Sequence, residues 1–113
     1  MPSRLVRSVP HTVSAADDDE KVFTVPPNKI GYLVEIEVYN PSTTDDAVVT
    51  VKDKFTPDYP EGSSEQEREK ANIKVLAGTT EIITDIKDKM VLGDVYVRSS
   101  VAGVKVILGV ELR

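Results

Sequence analysis

The sequence contains no cysteine, no tryptophan and a single histidine among its 113 residues. The missing cysteines exclude disulfide frameworks, thiolate zinc sites and thiol nucleophiles, and they leave the redox compartment undetermined. The lone His11 excludes most histidine-based catalysis. Aromatic residues make up only 5% of the chain, which argues against a sugar-cleaving cleft, because such clefts stack sugar rings on aromatic side chains.

Basic residues are also fewer than acidic residues. The chain has 14 Lys and Arg against 19 Asp and Glu, a net charge of -5, so we expect no nucleic-acid partner. No apolar run approaches the roughly 20 residues of a membrane-spanning helix. Arg4, Arg7 and His11 fall where a signal peptide would carry its apolar block. We therefore expect a soluble protein with no signal peptide, no transmembrane segment and no membrane partner.

The length of the chain and its 40% of hydrophobic residues are enough to form one core. We expect an N-terminal arm at residues 1–20 and a single folded domain at residues 21–113. Within the arm, Leu5 to Val9 is predicted to be an edge strand that Pro10 ends.

The clearest periodicity is two, which is typical of β-strands with one buried face. From Ile30 to Val38 every second residue is apolar, with Leu33 as the exception, and this pattern places Tyr32 in the core. Ala47 to Phe55 repeats the pattern after a run of turn-forming residues. These two strands are predicted to form an antiparallel hairpin with a long loop.

Other short runs complete an all-β pattern of about seven or eight strands at spacings of roughly 8 to 12 residues. They are Lys21 to Val25, Ile73 to Leu76, Glu81 to Ile86, Val95 to Val97 and Val104 to Leu112. The fold class predicted from this spacing is an antiparallel β-sandwich, similar to a jelly roll.

One segment, Thr56 to Asn72, has almost no apolar residues. Its Ser64-x-x-Glu67 spacing fits a capping box that opens a short helix. We expect an exposed insertion that is partly helical or mobile.

Candidate chemical groups are few, and each has a simpler structural explanation. The acidic runs Asp17 to Glu20 and Asp45–Asp46 offer oxygen ligands for calcium, but they lack the spacing of a calcium loop and are typical of solvated loops. Glu35 and Glu37 resemble a glycosidase pair, yet they also fit the wet face of a strand. His11 lies beside Pro10 in the arm, a poor place to hold a catalytic base. We predict no catalytic residue, no metal site and no cofactor.

The order of turn and strand motifs resembles that of small β-sandwich proteins in the virions of tailed bacteriophages and related viruses. The resemblance extends over about Val22 to Leu112 and depends on turn motifs and on the strands between them. The turn motifs are Val25-Pro26-Pro27-Asn28-Lys29, Asn40-Pro41-Ser42, Leu76-Ala77-Gly78-Thr79-Thr80 and Met90-Val91-Leu92-Gly93-Asp94, and the strands are Ile30 to Tyr39, Val48 to Lys54, Val95 to Ser100 and Gly103 to Glu111. The acidic segment Thr56 to Asn72 departs from the family pattern.

The resemblance implies a non-enzymatic structural protein of the virion that binds capsid or tail proteins and self-associates, with a trimer favoured. Head decoration or cement, a tail or neck adaptor, and a fibre-associated module are the roles it offers. The residues that we expect at contact surfaces are Leu5, Arg7, Val9, Tyr39, Asn40, Pro41, Thr44, Asp45 and Tyr59.

Two alternatives come from other functional classes. A cellular β-sandwich module that recognises sugar or peptide would have a concave site lined by exposed Tyr39, Tyr59 or Tyr96. A calcium-binding or hydrolytic enzyme is the other alternative, and it would show a shift of its melting temperature by several degrees between calcium and EDTA.

Overall fold

The computed structural model describes residues 4–113, so the first three residues of the predicted arm lie outside it. Ten strands are present in this range: β1 (Arg4–Arg7), β2 (His11–Thr12), β3 (Glu20–Thr24), β4 (Gly31–Tyr39), β5 (Ala47–Phe55), β6 (Gln66–Val75), β7 (Thr80–Ile83), β8 (Met90–Val91), β9 (Asp94–Ser99) and β10 (Lys105–Leu112). They form two antiparallel sheets. The six-strand sheet has the order β1-β10-β4-β7, with β2 on β10 and β8 on β4, and the four-strand sheet has the order β3-β9-β5-β6.

This strand order confirms the predicted all-β, jelly-roll-like sandwich. β1 and β2 lie along the same strand, β10, and β7 and β8 lie along β4. If each pair is taken as one interrupted strand, residues 4–113 form the eight strands of a jelly roll, four in each sheet. The two interruptions explain why the observed count of ten exceeds the seven or eight predicted.

Ser8 bridges the interruption between β1 and β2. Its backbone N–H donates to the Leu108 carbonyl at 2.8 Å, and its hydroxyl accepts the Leu108 N–H at 2.8 Å. The hydroxyl therefore satisfies a buried donor that the interrupted ladder would otherwise leave unpaired. As a result, the arm stays docked on β10 past the break.

The core lies between the two sheets and consists mostly of valine. Buried residues from both sheets, including Ile36 and Leu108 on one side and Val51 and Val97 on the other, form one hydrophobic cluster. β-branched side chains suit this position because they pack well on a pleated surface.

The predicted hairpin between β4 and β5 is wrong. The two strands lie in different sheets, and β5 pairs with β6 and β9 instead. The loop at residues 40–46 is long enough to cross the roughly 10 Å between packed sheets, so nothing local forces the strands to pair.

The exception at Leu33 comes from a β-bulge in β4. The pairing with β10 shifts between Glu35 and Leu33, which leaves Val34 without an opposite residue. Beyond the shift the side-chain alternation is inverted, because one extra residue reverses the face. Leu33 is therefore fully buried, and the prediction that Tyr32 belongs to the core is wrong, since it is only half-buried.

The predicted helix in Thr56–Asn72 is also wrong. Residues 66–72 belong to β6, which pairs with β5 from Phe55↔Gln66 to Ala47↔Val75. The preceding residues 56–65 form an exposed loop. No described residue lies in a helix, and the described part of the chain accordingly has no helix that could cross a membrane.

Candidate functional site

The outer face of the six-strand sheet carries several exposed apolar side chains. Leu5, Tyr39, Ile82 and Met90 are between 40% and 58% exposed. Each of them lies next to a residue that faces the core, so each points outward from its strand. Glu37 of β4 pairs with Ile82 on one side and with half-buried Ile107 of β10 on the other, so the two isoleucines flank it on the same face. Exposed or half-buried apolar side chains thus occur on strands at both edges of this sheet and on the strands between them.

Charged residues on the same face come in both signs. Arg7 Nη1 donates to Glu35 Oε1 at 2.7 Å, across the central strand β10. Gly109 lies between them in the register, and a Cβ atom there would come within 3.1 Å of the Glu35 Cβ. The glycine therefore leaves room for the ion pair. Near one end of the face, the Arg113 guanidinium stacks on the Tyr32 ring at 4.4 Å.

The outer face of the four-strand sheet is different, because a network of ion pairs occupies its centre. Lys54 Nζ lies 2.8 Å from Asp19 Oδ2, and Lys52 Nζ lies 2.9 Å from Glu67 Oε1. The Lys54 ammonium also lies 4.3 Å from the centre of the Tyr96 ring. The charged side chains at the centre of this face are therefore paired with one another.

The network changes the protonation of its members. The hydrogen bond from Lys54 lowers the pKa of Asp19 below its ordinary value of 3.8, with burial acting in the opposite direction. The hydrogen bond to Asp19 raises the pKa of Lys54, and the one to Glu67 raises the pKa of Lys52. All three groups are therefore held more firmly in their charged forms.

The predicted contact loop at residues 40–46 is organised by Asn40, which is fully buried. Its amide donates to the Asp45 and Val75 carbonyls at 2.8 and 3.1 Å, and its Oδ1 accepts the Ser42 N–H at 3.1 Å. Asn40 therefore fixes the loop from inside and presents no surface of its own. Pro41, Thr44 and Asp45 are exposed beside it.

The three tyrosines proposed for a sugar or peptide site do not converge. Tyr39 lies on the outer face of the six-strand sheet and Tyr96 on that of the four-strand sheet. Tyr59 lies in the 56–65 loop and is the most exposed of them. Of the contact residues predicted in the N-terminal arm, Leu5 and Arg7 are in β1, and exposed Val9 lies in the break after it.

The acidic run Asp17 to Glu20 is divided, because Asp17 and Asp18 are exposed whereas Asp19 and Glu20 are used within the fold. Asp19 joins the Lys54 network, and Glu20 accepts the N–H groups of Ser14 and Ala15 at 3.0 and 3.1 Å. The ring of His11 also contacts Glu20, with 3.0 Å between Nε2 and Oε1. Burial alone would raise the pKa of Glu20, but these hydrogen bonds lower it overall. In residues 4–113, no group of His, Asp and Glu side chains is arranged to hold a metal ion.

A groove opens between edge strand β6 of one sheet and edge strand β7 of the other. Its volume is about 460 Å³, and its apolar lining is Ile73, Ile83 and Ile86. At one side of this β6–β7 groove, Lys70 Nζ contacts Asp88 Oδ2 at 3.0 Å. The Lys70 side chain is only 1% exposed because β6 has a bulge there, where the pairing shifts between Ala71 and Glu69. The ion pair links the two edges of the sandwich.

Sequence reasoning missed both Lys70 and the groove. The bulge that buries Lys70 leaves no trace in the local pattern of charged residues. The extent of β6 did have a signal: Glu67 and Glu69 alternate in step with Lys52 and Lys54 of β5, which they face across the ladder.

No protein-family model matches the sequence, and a comparison with curated proteins finds no match. The class that the structure defines is an antiparallel jelly-roll sandwich, with exposed apolar residues among charges on one outer face and a network of ion pairs on the other.

Proposed function

We propose that this chain is a non-enzymatic structural protein of a virus particle that binds capsid or tail proteins and self-associates. The supporting observation is the difference between the two outer faces. The outer face of the six-strand sheet exposes Leu5, Tyr39, Ile82 and Met90, whereas the other face neutralises its charges internally. Exposed apolar patches of this kind mark interaction surfaces.

The fold suits this role. A jelly roll is a compact building block that recurs in viral capsids. A sheet face that carries apolar residues among charges of both signs can bury apolar area against a repeated subunit. Its charges can then fix the orientation of that contact. The net charge of -5 favours solubility and keeps assembled units apart.

The first test is whether purified virus particles from the source contain the chain, measured by mass spectrometry. The proposal expects it at a stoichiometry that repeats with the capsid or tail subunits. Particles without the chain would contradict the proposal.

A matched pair of variants tests which face docks. Tyr39 and Val48 are 41% and 42% exposed but lie on opposite outer faces. Tyr39→Lys is expected to reduce binding to particles that lack the chain by at least tenfold, because it places a solvated charge in the apolar contact. Val48→Lys is expected to bind normally. The opposite ranking in a sedimentation assay would exclude the six-strand sheet as the docking face.

The alternative of a binding module has one observation in its favour, the concave β6–β7 groove. That groove contains none of the three tyrosines, so it fits an extended peptide better than a sugar ring. An array of immobilised glycans and peptides would separate the two ligand classes.

A further inference from the structure

The two edges of the six-strand sheet are complementary in direction. The order β1-β10-β4-β7 places β1 at one edge and β7 at the other, with antiparallel pairing throughout. With four strands in this order, β1 and β7 run in opposite directions. A second copy in the same orientation would therefore present its β1 antiparallel to β7 of the first.

The two edges are also complementary in charge. Residues 1–16 contain Arg4 and Arg7 and no acidic residue, whereas residues 79–86 contain Glu81 and Asp85 and no basic one. Pairing β1 with a second β1, or β7 with a second β7, would bring like charges together. Pairing β1 with β7 brings opposite charges together.

One register satisfies the side chains of both strands. Glu81, Ile83 and Asp85 line the β6–β7 groove, while Val6 of β1 faces the core side of its own sheet. Placing Val6 opposite Ile83 matches apolar with apolar, and it brings Arg4 opposite Asp85. A shift by one residue would turn both matched pairs onto the wrong face.

This register needs only a small stagger between copies. Val6 pairs with Val110 of β10. Ile83 pairs with Ile36 of β4, which in turn pairs with Leu108 of β10. The offset is two residues, about 7 Å along the strand. Because two is an even number, the inward face of one copy continues into the inward face of the next.

We propose that the six-strand sheet continues from one copy of this chain into the next, with β1 of one copy added to β7 of its neighbour. The added strand places Val6 and Arg4 of the neighbour over the β6–β7 groove. Such a head-to-tail contact builds a closed ring or an open filament rather than a two-fold dimer. The inference rests on the self-association in the proposed function and specifies its interface.

The absence of cysteine from the sequence allows a direct test. In the proposed register Leu5 lies opposite Thr84, and opposite residues have Cα atoms about 4.5–5.5 Å apart, within the range of a disulfide. We expect the purified double variant Leu5→Cys/Thr84→Cys to give a ladder of covalent oligomers on mild oxidation. Within one copy the two positions lie at opposite edges of the six-strand sheet, so a disulfide within one copy cannot form.

The matched control is Leu5→Cys/Ile82→Cys, which keeps the same face but is out of register by two residues. Its diagonal separation of about 7–8 Å is too large for a disulfide, so no ladder is expected. Equal ladders in both variants, no ladder in either, or dimers from Leu5→Cys alone would each overturn the proposed pairing.

A charge exchange provides a second readout by sedimentation of the purified chain. Arg4→Glu or Asp85→Arg alone is expected to lower the association constant by roughly tenfold, and the double exchange is expected to restore it. Unchanged association in the single variants would contradict the register. Both experiments use the purified chain and no virus particles. Pairing of β1 with β7 can therefore be confirmed or contradicted even if the chain proves absent from virus particles.

Discussion

Asp53 interrupts the apolar face of β5, and the structure shows why this buried carboxylate is tolerated. Its two oxygens accept the N–H groups of Leu92 and Gly93 at 2.9 and 3.1 Å. Gly93 approaches β5 so closely that a Cβ atom there would lie 2.3 Å from the Lys54 carbonyl oxygen. The carboxylate thus fastens the turn between β8 and β9 onto β5.

Asp53→Asn is expected to lower the free energy of unfolding by about 2 kcal/mol, because the buried amide offers only one acceptor to the two backbone donors of the turn. The measurement is urea unfolding, followed by circular dichroism. Asp45→Asn serves as the control, since its exposed side chain predicts a change within about 0.5 kcal/mol. Equal effects of the two substitutions would contradict this role of Asp53.

The ion pair of Lys70 and Asp88 predicts opposite outcomes for its two members. The Lys70 side chain is 1% exposed and that of Asp88 is 55% exposed. Asp88→Asn leaves a buried ammonium without its carboxylate and is expected to destabilise by about 1–2 kcal/mol. Lys70→Met leaves only a solvated carboxylate, so its effect is expected to lie between neutral and about 1 kcal/mol stabilising.

Thermal and urea unfolding of both variants would check this asymmetry. Lys74→Met is the control for the loss of an exposed lysine from the same strand. A Lys70→Met variant that is less stable than Asp88→Asn would show that the ammonium stabilises the fold in itself.

At the scale of the elements, the charged network on the outer face of the four-strand sheet ties β5 and β6 to the connection before β3. Because the pKa of Asp19 is lower in the folded chain than its ordinary 3.8, this carboxylate stabilises the fold at pH values above 3.8. The contribution is lost as the pH falls through the lowered folded-state pKa.

We expect Asp19→Asn to be less stable than the unmodified chain at neutral pH, with the difference shrinking below pH 3.8. High salt should reduce the same difference, because the ion pairs lie at the surface. Urea midpoints over a pH series measure both effects, with Asp18→Asn, at an exposed neighbouring position, as the control. A difference that stays constant with pH would refute the electrostatic explanation.

The strands that sequence could predict are those whose period-two pattern is driven by burial. β4, β5, β9 and β10 supply most of the core, and their alternation is visible without the structure. The first part of β6 pairs with β5 but buries almost no apolar side chain, so its sequence is typical of a loop. Edge strands commonly carry such charges because these discourage aggregation.

The candidate surfaces were harder to predict than the strands. The sequence indicates that Leu5 and Tyr39 are contact residues, but it does not show that Ile82 and Met90 share their face. That fact depends on sheet order, which local patterns do not encode. Asn40 shows the converse, because its motif is conspicuous in the sequence and its role is internal.

At the scale of the whole molecule, the six-strand sheet combines a docking face with two complementary edges. Strand addition at the edges leaves the outer face open, so self-association and attachment to another protein use separate surfaces. We therefore expect the charge variants Arg4→Glu and Asp85→Arg, which lie outside the docking face, to alter oligomer size without weakening contacts through Tyr39.

The strand order has a kinetic consequence. Among the described strands, only β5 and β6 are neighbours both in sequence and in a sheet; every other observed pairing joins strands that are distant along the chain. β9 and β10, near the C-terminal end, occupy interior positions in the two sheets. The sandwich therefore cannot close until β9 and β10 have left the ribosome, and the β5–β6 hairpin is the element able to form first. We expect slow folding with a high contact order, during which the nascent chain depends on its many charged residues to stay apart from its neighbours.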